Sequence, residues 1–465
     1  MNYPETLEFL YNALPEFQQV GAEAYKPGLE RVRAFLRHLG DPHNAFKSIH
    51  IAGTNGKGSV SHIIASVLMA AGYRVGLYTS PHLRDFRERI RIDGQMISED
   101  EVVEFVERHR GAMEGLSFFE MTVGMAFDRF RAAGVDVAVV EVGLGGRLDA
   151  TNVVTPVLSV ITNIGLDHTA LLGDTIARIA FEKAGIIKRG VPVVVGEHGD
   201  DIDAVFVARA REECAPLVFA QDAYRCVAAR EEADFQVLEV ERPEGAAASA
   251  ECAGGAATGA ESGPARVEAK RLAGRSAQSV EAEDGRFSVT LDLLGDYQRN
   301  NIVTCMAVFA ELNERTPLKV DYRAIERGCA VAAQSTGLVG RWQKLGERPL
   351  VIADTGHNEH GLREVVAQIA RQSYRKLYMV VGFAADKDID AILSLLPRGA
   401  WYVFTQASSR RALPAEQLAQ RARAVGLEGE VAPTVAEALA RARAIAAAED
   451  MIFVGGSNFV VAEVV

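Results

Sequence analysis

Short runs of continuously apolar residues alternate along the chain with longer stretches whose apolar positions recur every three or four residues. The first runs are SIHIA, RVGLY, DVAVVEV, VLSVIT and VPVVVG. Such runs are typical of strands that are buried on both faces of a parallel sheet. The stretches between them, such as SVSHIIASVLMAAG and TIARIAFEKAGIIKRG, have helical spacing and close on a glycine. The alternation predicts an α/β fold with a mostly parallel sheet covered by helices on both faces.

A second series of the same kind follows Arg341. PLVIAD, KLYMVVGF, AWYVFTQ and MIFVGG alternate with helical stretches such as EHGLREVVAQIARQS. This series predicts a smaller, Rossmann-like α/β domain at the C-terminal end. The helical segment from Gln298 to about Ala333 would complete the first domain, with STGLVG as the hinge. We therefore expect domains at residues 1–337 and 338–465.

Residues 241–285 differ in composition from both series. They are rich in Ala, Gly, Glu and Ser and contain few large apolar residues. Such a segment cannot bury enough apolar surface to offset the entropy of ordering it, so we interpret it as a flexible insertion within the first domain. A weak amphipathic helix is the alternative.

Composition and charge argue against several classes of protein. The 465-residue chain has a formal net charge of −12, which argues against a general nucleic-acid binder. Its five cysteines form no Cys-x-x-Cys pair, so neither a zinc site nor a disulfide framework is indicated. The first residues lack the pattern of a signal peptide, and no apolar stretch is long enough to cross a bilayer. These features predict a cytoplasmic protein, and nothing in them demands more than a monomer.

The first chemical signal is a glycine-rich loop between an apolar strand and a helix. It consists of Gly53, Thr54, Asn55, Gly56, Lys57, Gly58 and Ser59. In this context, backbone N–H groups and the helix N-terminus bind phosphate, the lysine reaches the outer phosphates and the serine hydroxyl can face Mg²⁺. Gly58 separates the lysine from the serine, which departs from the general phosphate-loop pattern. The loop still predicts nucleotide binding.

Two candidate metal ligands follow later strands. Glu141 ends DVAVVEV, and His168 lies in the Asp167-His168-Thr169 sequence after VLSVITNIG. The carboxyl ends of parallel strands meet at one edge of the sheet, beside the phosphate loop. A magnesium ion bound to a triphosphate would lie there. Lys183, in FEKAGIIK, has no such position, and by default it is a surface charge or an ion-pair partner of Glu182 or Asp174.

Together these motifs resemble folylpolyglutamate synthase and dihydrofolate synthase, which are Mur-type amide ligases. In order along the chain they are IHIAGTNGKGSV, YTSPHLRDFRERI, EVGLGGRLDATN, DHT, EKAGIIK, GDYQRNN, GRWQ, DTGHN, GFAADKD and GGSNF. The resemblance implies ATP-dependent ligation of L-glutamate to dihydropteroate, to the glutamate tail of folate, or to both. It also implies an acyl-phosphate intermediate, ATP, two Mg²⁺ ions and a phosphate-loop ATPase domain ahead of the C-terminal ligase domain.

The resemblance also implies roles for individual residues. Lys57, Lys183 and His168 match catalytic positions, and Lys183 matches a lysine that is carbamylated. The implied magnesium ligands are Ser59, Ser80, Glu141, His168 and Lys183. The implied ATP contacts are the phosphate loop (Gly53, Thr54, Asn55, Gly56, Lys57, Gly58 and Ser59) together with Asn301, Arg341, Asp354 and His357. Ser457 lies near the implied contact with glutamate.

The chain departs from the family pattern at several positions. Tyr297 stands where a histidine is usual, Thr355-Gly356 replaces Gly-Ala before His357, and Glu359 replaces a proline. None of these changes a magnesium ligand. Two other functions stay open at this point: another Mur-type amino-acid ligase, and a nucleotide-binding relative without catalytic activity. The sequence does not decide whether one or both glutamylation activities are present.

Overall fold

A computed structural model describes residues 1–13, 28–243 and 286–465. Its largest sheet has eight strands in the order β4-β3-β2-β5-β1-β6-β7-β8. All neighbouring pairs are parallel except β2–β3 and β3–β4 at one edge. The strands are β1 Lys47–Ala52, β2 Val75–Tyr78, β3 Ile90–Ile92, β4 Gln95–Met96, β5 Val137–Glu141, β6 Leu158–Ile161, β7 Val193–Val195 and β8 Leu217–Phe219.

Helices cover both faces of this sheet, and each face has its own apolar core. The helices of this part are α1 Tyr3–Ala13, α2 Glu30–His38, α3 Lys57–Ala70, α4 Glu99–His109, α5 Phe118–Ala133, α6 Thr169–Leu172, α7 Ile176–Ala184, α8 Asp203–Glu212, α9 Ala220–Ala223, α10 Gln298–Arg315, α11 Tyr322–Ala330 and α12 Ala332–Thr336. Five consecutive positions of β1 are buried, which explains its continuously apolar sequence. The predicted mostly parallel sheet is confirmed.

A small antiparallel sheet lies beside the first one and was not predicted. It consists of β9 Arg225–Glu232, β10 Phe235–Glu241 and β11 Arg286–Leu291, in the order β11-β10-β9. Only one face of this sheet joins the core, through Leu238, Val240, Val289 and Leu291. Strands buried on one face alternate polar and apolar residues, and that pattern is weaker than the continuous runs elsewhere.

The third sheet carries the C-terminal part of the chain, with strand order β12-β13-β17-β14-β15-β16. Its strands are β12 Gln343–Glu347, β13 Leu350–Asp354, β14 Leu377–Val381, β15 Trp401–Phe404, β16 Gly429–Val431 and β17 Met451–Gly455. Its helices are α13 Glu359–Ile369, α14 Ile389–Leu395, α15 Ala415–Ala424, α16 Val435–Ile445 and α17 Asn458–Ala462. All its pairs are parallel except β12–β13, which confirms the predicted second α/β unit.

Two earlier predictions can be placed on this structure. The expected domain boundary at 337/338 falls between α12 and β12. The predicted insertion at 241–285 lies outside the described residues, apart from its first three positions. Among the residues that are described, no helix is long and apolar enough to cross a membrane.

Candidate active site

The glycine-rich loop joins β1 to α3 in a conformation that requires its glycines. Gly56 has φ +80°, and a side chain there would collide with Oδ1 of Asn301. The loop is tethered to the end of β6, because Thr54 N donates to Asn163 O at 2.9 Å and Asn55 N donates to Asn163 Oδ1 at 2.8 Å. The predicted phosphate loop therefore has the strand–loop–helix geometry that binds phosphate.

Lys57 curls back over its own loop. Its Nζ donates to Gly53 O at 3.1 Å and to Thr54 O at 3.2 Å. Two neutral carbonyls are weaker partners for an ammonium than a phosphate would be. This lysine is therefore placed to exchange them for an anion on the loop.

The N-terminal turn of α10 lies behind the phosphate loop. Gln298 Nε2 donates to Ser59 Oγ at 3.2 Å, and Asn301 Nδ2 donates to Gln298 Oε1 at 2.7 Å. Gly58 faces the Arg341 guanidinium, which would lie 3.6 Å from a β-carbon at that position. Ser59, Asn301 and Arg341, which are far apart in sequence, thus converge on the loop.

Asp354 ends β13 and is buried beside the same turn. Its Oδ2 accepts from Tyr297 Oη at 2.6 Å and from Trp342 N at 2.7 Å, while Oδ1 accepts from Gly356 N at 2.7 Å. Burial raises the pKa of Asp354, and the hydrogen bond from Tyr297 opposes that shift. The unusual Tyr297 therefore binds the carboxylate that the resemblance assigns to ATP.

Glu141, at the end of β5, is 3% exposed. Its Oε2 accepts from Ser80 N at 3.1 Å, so two of the predicted metal ligands are in contact. Burial raises the pKa of Glu141 to about 7, although Lys57 and Arg341 lower it. A buried carboxylate of this kind gains most from a nearby cation.

Lys183 is not a surface residue, so the default interpretation of this lysine is wrong. It is 4% exposed, and its Nζ donates to Gly53 O at 2.7 Å. The two expected ion-pair partners bind elsewhere, Glu182 to Arg147 and Asp174 to Arg178. Burial and the nearby Lys57 lower the pKa of Lys183 to about 7.

Asp167 joins the first sheet to the C-terminal unit. It accepts from Lys387 Nζ at 2.5 Å and from Asn358 Nδ2 at 3.1 Å, and His357 Nε2 lies 3.7 Å away. Burial by itself would raise the pKa of Asp167, but His357 and Lys387 hold it well below its usual range. Asp167 is therefore a carboxylate that faces three groups of the other unit.

His168, the next residue, lines the same cavity as Asp167. Its backbone is left-handed, with φ +51°, and its N–H donates to Asp167 Oδ1 at 2.9 Å. Burial, opposed by Asp167, lowers the pKa of His168 to about 3. The imidazole is then neutral near pH 7, which is the form that binds metal ions.

These groups surround a cavity of about 250 Å³. The predicted site residues that line it are Gly53, Thr54, Lys57, Ser80, His168, Lys183, His357 and Ser457. The other predicted residues lie outside the lining. Asn55, Gly56, Gly58 and Ser59 belong to the phosphate loop, and Asn301 and Arg341 face it. Glu141 contacts Ser80, and Asp354 contacts Tyr297 next to the N-terminal turn of α10. Phe118, Phe119, Val142 and Leu148 supply apolar side chains to the same lining.

Several residues of this site were not predicted. Asp167, Gln298 and Lys387 belong to motifs that were recognised, but their roles depend on contacts between distant segments. Asp149, which also lines the cavity, lies in such a motif as well. Arg411 lies in no recognised motif and reaches the cavity from the loop after β15, where it pairs with Asp386 at 2.6 Å.

The donor set fits hard cations only in part. Within the described ranges, no group of three or more His, Cys, Asp or Glu side chains could hold a metal ion by itself. Glu141, Ser80 and Ser59 offer oxygen atoms, which Mg²⁺ prefers. Further oxygen atoms would have to come from a bound triphosphate or from a modified Lys183.

The sequence of this chain is similar to that of known Mur ligases. The Mur ligase middle domain matches residues 51–309, and the Mur ligase glutamate ligase domain matches residues 340–458. A probable bifunctional folylpolyglutamate synthase/dihydropteroate synthase of Haloferax volcanii is 35% identical over the whole chain, which spans 50% of that relative's length. The dihydrofolate synthase/folylpolyglutamate synthase of Escherichia coli is 32% identical over 99% of this chain and 96% of its own.

Solved structures agree with the sequence comparison. The structure of E. coli FolC in complex with DHPP and ADP superposes with a TM-score of 0.79 at 30% identity, covering 100% of this chain and 97% of that one. A bifunctional folylpolyglutamate synthase/dihydrofolate synthase with Mn, AMPPNP and L-glutamate bound superposes with a TM-score of 0.77 at 30% identity, with the same coverage. ADP, DHPP, AMPPNP and L-glutamate are thus bound by proteins of this fold.

Proposed function

Because the chain belongs to the folylpolyglutamate synthase and dihydrofolate synthase family of Mur ligases, we propose that it joins L-glutamate to a dihydropteroate- or folate-type acid and converts ATP to ADP and phosphate. The observation that carries the proposal is the single cavity in which the phosphate-loop Lys57, the buried Lys183 and the C-terminal Lys387 meet. The Lys57 and Lys387 ammonium groups suit a reaction that brings a triphosphate and two carboxylic acids together. The buried Lys183, whose pKa is lowered, is suited to carry a carbamate.

ATP would lie along the phosphate loop, with its outer phosphates at Lys57. Arg341 would contact a phosphate, since a guanidinium binds phosphate oxygens with two parallel hydrogen bonds. Asp354 and His357 would contact the nucleoside end from the C-terminal unit. Asn301 would act by shaping the loop at Gly56, because the two residues are in contact.

Magnesium would be held by Ser59, Ser80, Glu141, His168 and a carbamylated Lys183, as two ions. The contact of Glu141 with Ser80 and the lowered pKa of Lys183 support this assignment. Carbon dioxide reacts with neutral amines, and a lysine with a pKa of about 7 is largely neutral at pH 8. When bound, the ions would neutralise the negative charges of triphosphate and carboxylate.

The chemistry would proceed in two steps. An oxygen atom of the acceptor's carboxylate attacks the γ-phosphorus, and ADP leaves, which produces an acyl phosphate. The uncharged amine of glutamate then attacks the acyl carbon and loses a proton as phosphate leaves. Water would destroy the acyl phosphate, so the site must exclude it. Asn358 of the C-terminal unit donates to Asn55 and to Asp167, so the two units are in contact beside the cavity.

Glutamate would bind to residues of the C-terminal unit. Ser457 lines the cavity together with Lys387 and Arg411, and the Arg411 guanidinium lies 6.0 Å from the centroid of the Phe459 ring. Two cations match the two carboxylates of glutamate. Ser457 Oγ accepts from Val460 N at 3.2 Å, so it also caps α17 and fixes the position of this wall.

Phosphate release from ATP tests the proposal. Purified protein is supplied with Mg²⁺ and L-glutamate, and dihydropteroate is compared with tetrahydrofolate as acceptor. Stimulation accompanied by products that are one glutamate heavier would support the proposal, and stimulation by both acceptors would establish two activities. If neither acceptor stimulates release, the chain is another Mur-type amino-acid ligase or a relative without catalytic activity. The cytoplasmic location and the monomeric state stay predictions.

A further inference from the structure

The loop that follows β5 forms one wall of the cavity, and Asp149 holds it in place. Val142, Gly143, Leu144, Gly145, Leu148, Asp149 and Ala150 all line the cavity. Asp149 Oδ2 accepts from Leu144 N at 2.9 Å, and Oδ1 accepts from Thr151 N at 2.9 Å. One carboxylate thus ties both ends of the wall together, and the shape of the wall depends on its orientation.

Two buried side chains continue from Asp149 into the core. Thr151 is fully buried and its hydroxyl bonds to Asp149 Oδ1. His50, also fully buried, lies on β1 with its Nε2 at 2.8 Å from Thr151 Oγ1. The carboxylate, the hydroxyl and the imidazole therefore form a line from the cavity wall to the centre of the sheet.

The direction of these hydrogen bonds follows from His50. Its Nδ1 has no hydrogen-bond partner among the described residues. If Nδ1 carried the proton, a buried N–H would be left without an acceptor, which is rarer and costlier in proteins than an unused lone pair. The proton therefore lies on Nε2, which donates to the Thr151 hydroxyl. That hydroxyl must then donate to Asp149 Oδ1.

The charge around His50 favours the same arrangement. Burial and the nearby Lys188 ammonium lower the pKa of His50 to about 3, so the imidazole is neutral. A neutral imidazole with its proton on Nε2 offers one donor in one direction. The hydrogen bonds from His50 to Thr151 and from Thr151 to Asp149, called the relay below, therefore run in one direction in the folded protein.

We propose that His50 and Thr151 are positioning residues that act through Asp149 to fix the acceptor-binding wall of the cavity. Neither side chain lines the cavity, so their effect on the reaction is indirect. This inference rests on the proposed function, because it assumes that the acid acceptor lies against the wall after β5. ATP and glutamate would bind to other walls, so the relay should affect the acceptor alone.

The test compares two replacements of Thr151. Thr151→Val keeps the shape but removes the hydroxyl, which leaves His50 Nε2 without an acceptor and Asp149 Oδ1 with the backbone N–H of residue 151 but without its side-chain donor. We expect the KM for dihydropteroate, and the Kd for pteroate in the absence of ATP, to rise about tenfold, with the KM values for ATP and glutamate within twofold. Thr151→Ser keeps the hydroxyl and should return both acceptor constants to within about threefold of the wild type.

Three further variants keep the test decisive. Thr336→Val breaks a similar buried pair, in which His62 Nδ1 lies 2.7 Å from Thr336 Oγ1, away from the cavity lining. We expect it to lower stability without changing the acceptor constants. If Thr151→Val fails to fold, His50→Gln, which retains a donor, should bind the acceptor like the wild type, whereas His50→Leu should bind it about tenfold more weakly.

The outcomes separate the relay from the function on which it rests. An unchanged acceptor KM in Thr151→Val, or an equal rise in all three KM values, would overturn the relay while the ligase activity stands. A wild-type protein that neither binds pteroate nor uses dihydropteroate would overturn the proposed function itself, and the relay would then have no acceptor to position.

Discussion

The side-chain amides of Asn55 and Asn358 form a reciprocal pair that joins the phosphate loop to the C-terminal unit. Asn55 Nδ2 donates to Asn358 Oδ1 at 3.2 Å, and Asn358 Nδ2 donates back to Asn55 Oδ1 at 2.9 Å. The same Asn358 caps α13 through Gly361 N and donates to Asp167. One residue thus connects the nucleotide loop, the cross-unit carboxylate and a helix N-terminus.

Replacing Asn358 with serine separates these roles. Asn358→Ser keeps a side chain that caps helices well, but it removes the amide that reaches Asn55 and Asp167. Each lost hydrogen bond contributes about 1 kcal/mol to stability, and the lost bonds join the C-terminal unit to the phosphate loop and to Asp167. We therefore expect a moderate decrease in thermal stability and a fall in kcat by a factor of about ten. Steady-state kinetics and thermal unfolding measure the two effects. Asn313→Ser, which removes an amide contact to Val320 O away from the cavity, is the control and should leave kcat unchanged.

The buried pair of Asp167 and Lys387 predicts a specific effect on glutamate. Asp167→Asn keeps the size of the side chain but leaves the Lys387 ammonium, which is 12% exposed, without its charge partner. Breaking a buried pair costs about 3–5 kcal/mol of stability, and it also removes the contact that holds Lys387 at the cavity. We therefore expect thermal stability to decrease and kcat/KM for glutamate to fall about tenfold or more. The matched control is Asp174→Asn, because Asp174 is 78% exposed in its ion pair with Arg178 and should affect no constant. Unchanged glutamate kinetics in Asp167→Asn would exclude a role for the pair in glutamate binding.

Lys183 should be indispensable for the chemistry but not for nucleotide binding. Lys183→Ala removes the amine that would carry the carbamate, so we expect no detectable ligation and an ATP Kd within about threefold of the wild type. Short carboxylic acids such as acetate should restore part of the turnover, since they can supply the missing oxygen atoms. In the wild type, activity at fixed total bicarbonate should rise between pH 6 and 8 as the amine becomes neutral. Full activity of the alanine variant would contradict the assignment.

Lys188 provides the matched control for that experiment. It is also a partly buried lysine whose pKa is lowered by burial, to about 8, and its Nζ donates to Asn152 O at 3.3 Å. It does not line the cavity, so Lys188→Ala should keep turnover within about threefold. Acetate should have no effect on this variant.

The sequence predicted the two parallel sheets and the residues of the phosphate loop, because both depend on local patterns. Continuous apolar runs are visible without any knowledge of the fold, and glycines with positive φ leave a recognisable spacing. The environment of Lys183 was not visible, since its burial follows from the packing of α7 against a loop 130 positions earlier. The small antiparallel sheet was missed for a related reason, as its strands are only half-buried and bracket residues 244–285, whose composition hides the pairing of β10 with β11.

The contacts made by Tyr297 and Thr355, two departures from the family pattern, are visible only in the structure. In the sequence, Tyr297 is visible only as a tyrosine at a position where the family usually has a histidine. In the structure its hydroxyl donates to Asp354 Oδ2, and Thr355 donates from both its N–H and its hydroxyl to Gly340 O at 3.0 Å. Thr355 therefore binds the last residue of STGLVG, the predicted hinge, and Tyr297 binds the end of β13.

The raised pKa of Glu141 makes the stability of the protein depend on pH when no divalent metal is present. The unfolded carboxyl group has a pKa of about 4.5, whereas burial raises the folded value to about 7. Between these values the folded state binds more protons than the unfolded state, so the free energy of unfolding decreases as pH rises from 4.5 to 7. Above pH 7 this loss is complete, and a bound cation would reverse it by favouring the carboxylate.

Glu141→Gln should remove this dependence, because the amide has the same shape and no charge. At pH 8 with a chelator, we expect the variant to be more stable than the wild type by about 1–3 kcal/mol, and at pH 4.5 the two should be equal within error. Added Mg²⁺ should stabilise the wild type and have little effect on the variant. Urea unfolding at both pH values measures these differences, with the exposed Glu114→Gln as the control. A variant less stable than the wild type at pH 8 without metal would show that Glu141 is stabilised by its neighbours rather than strained by burial.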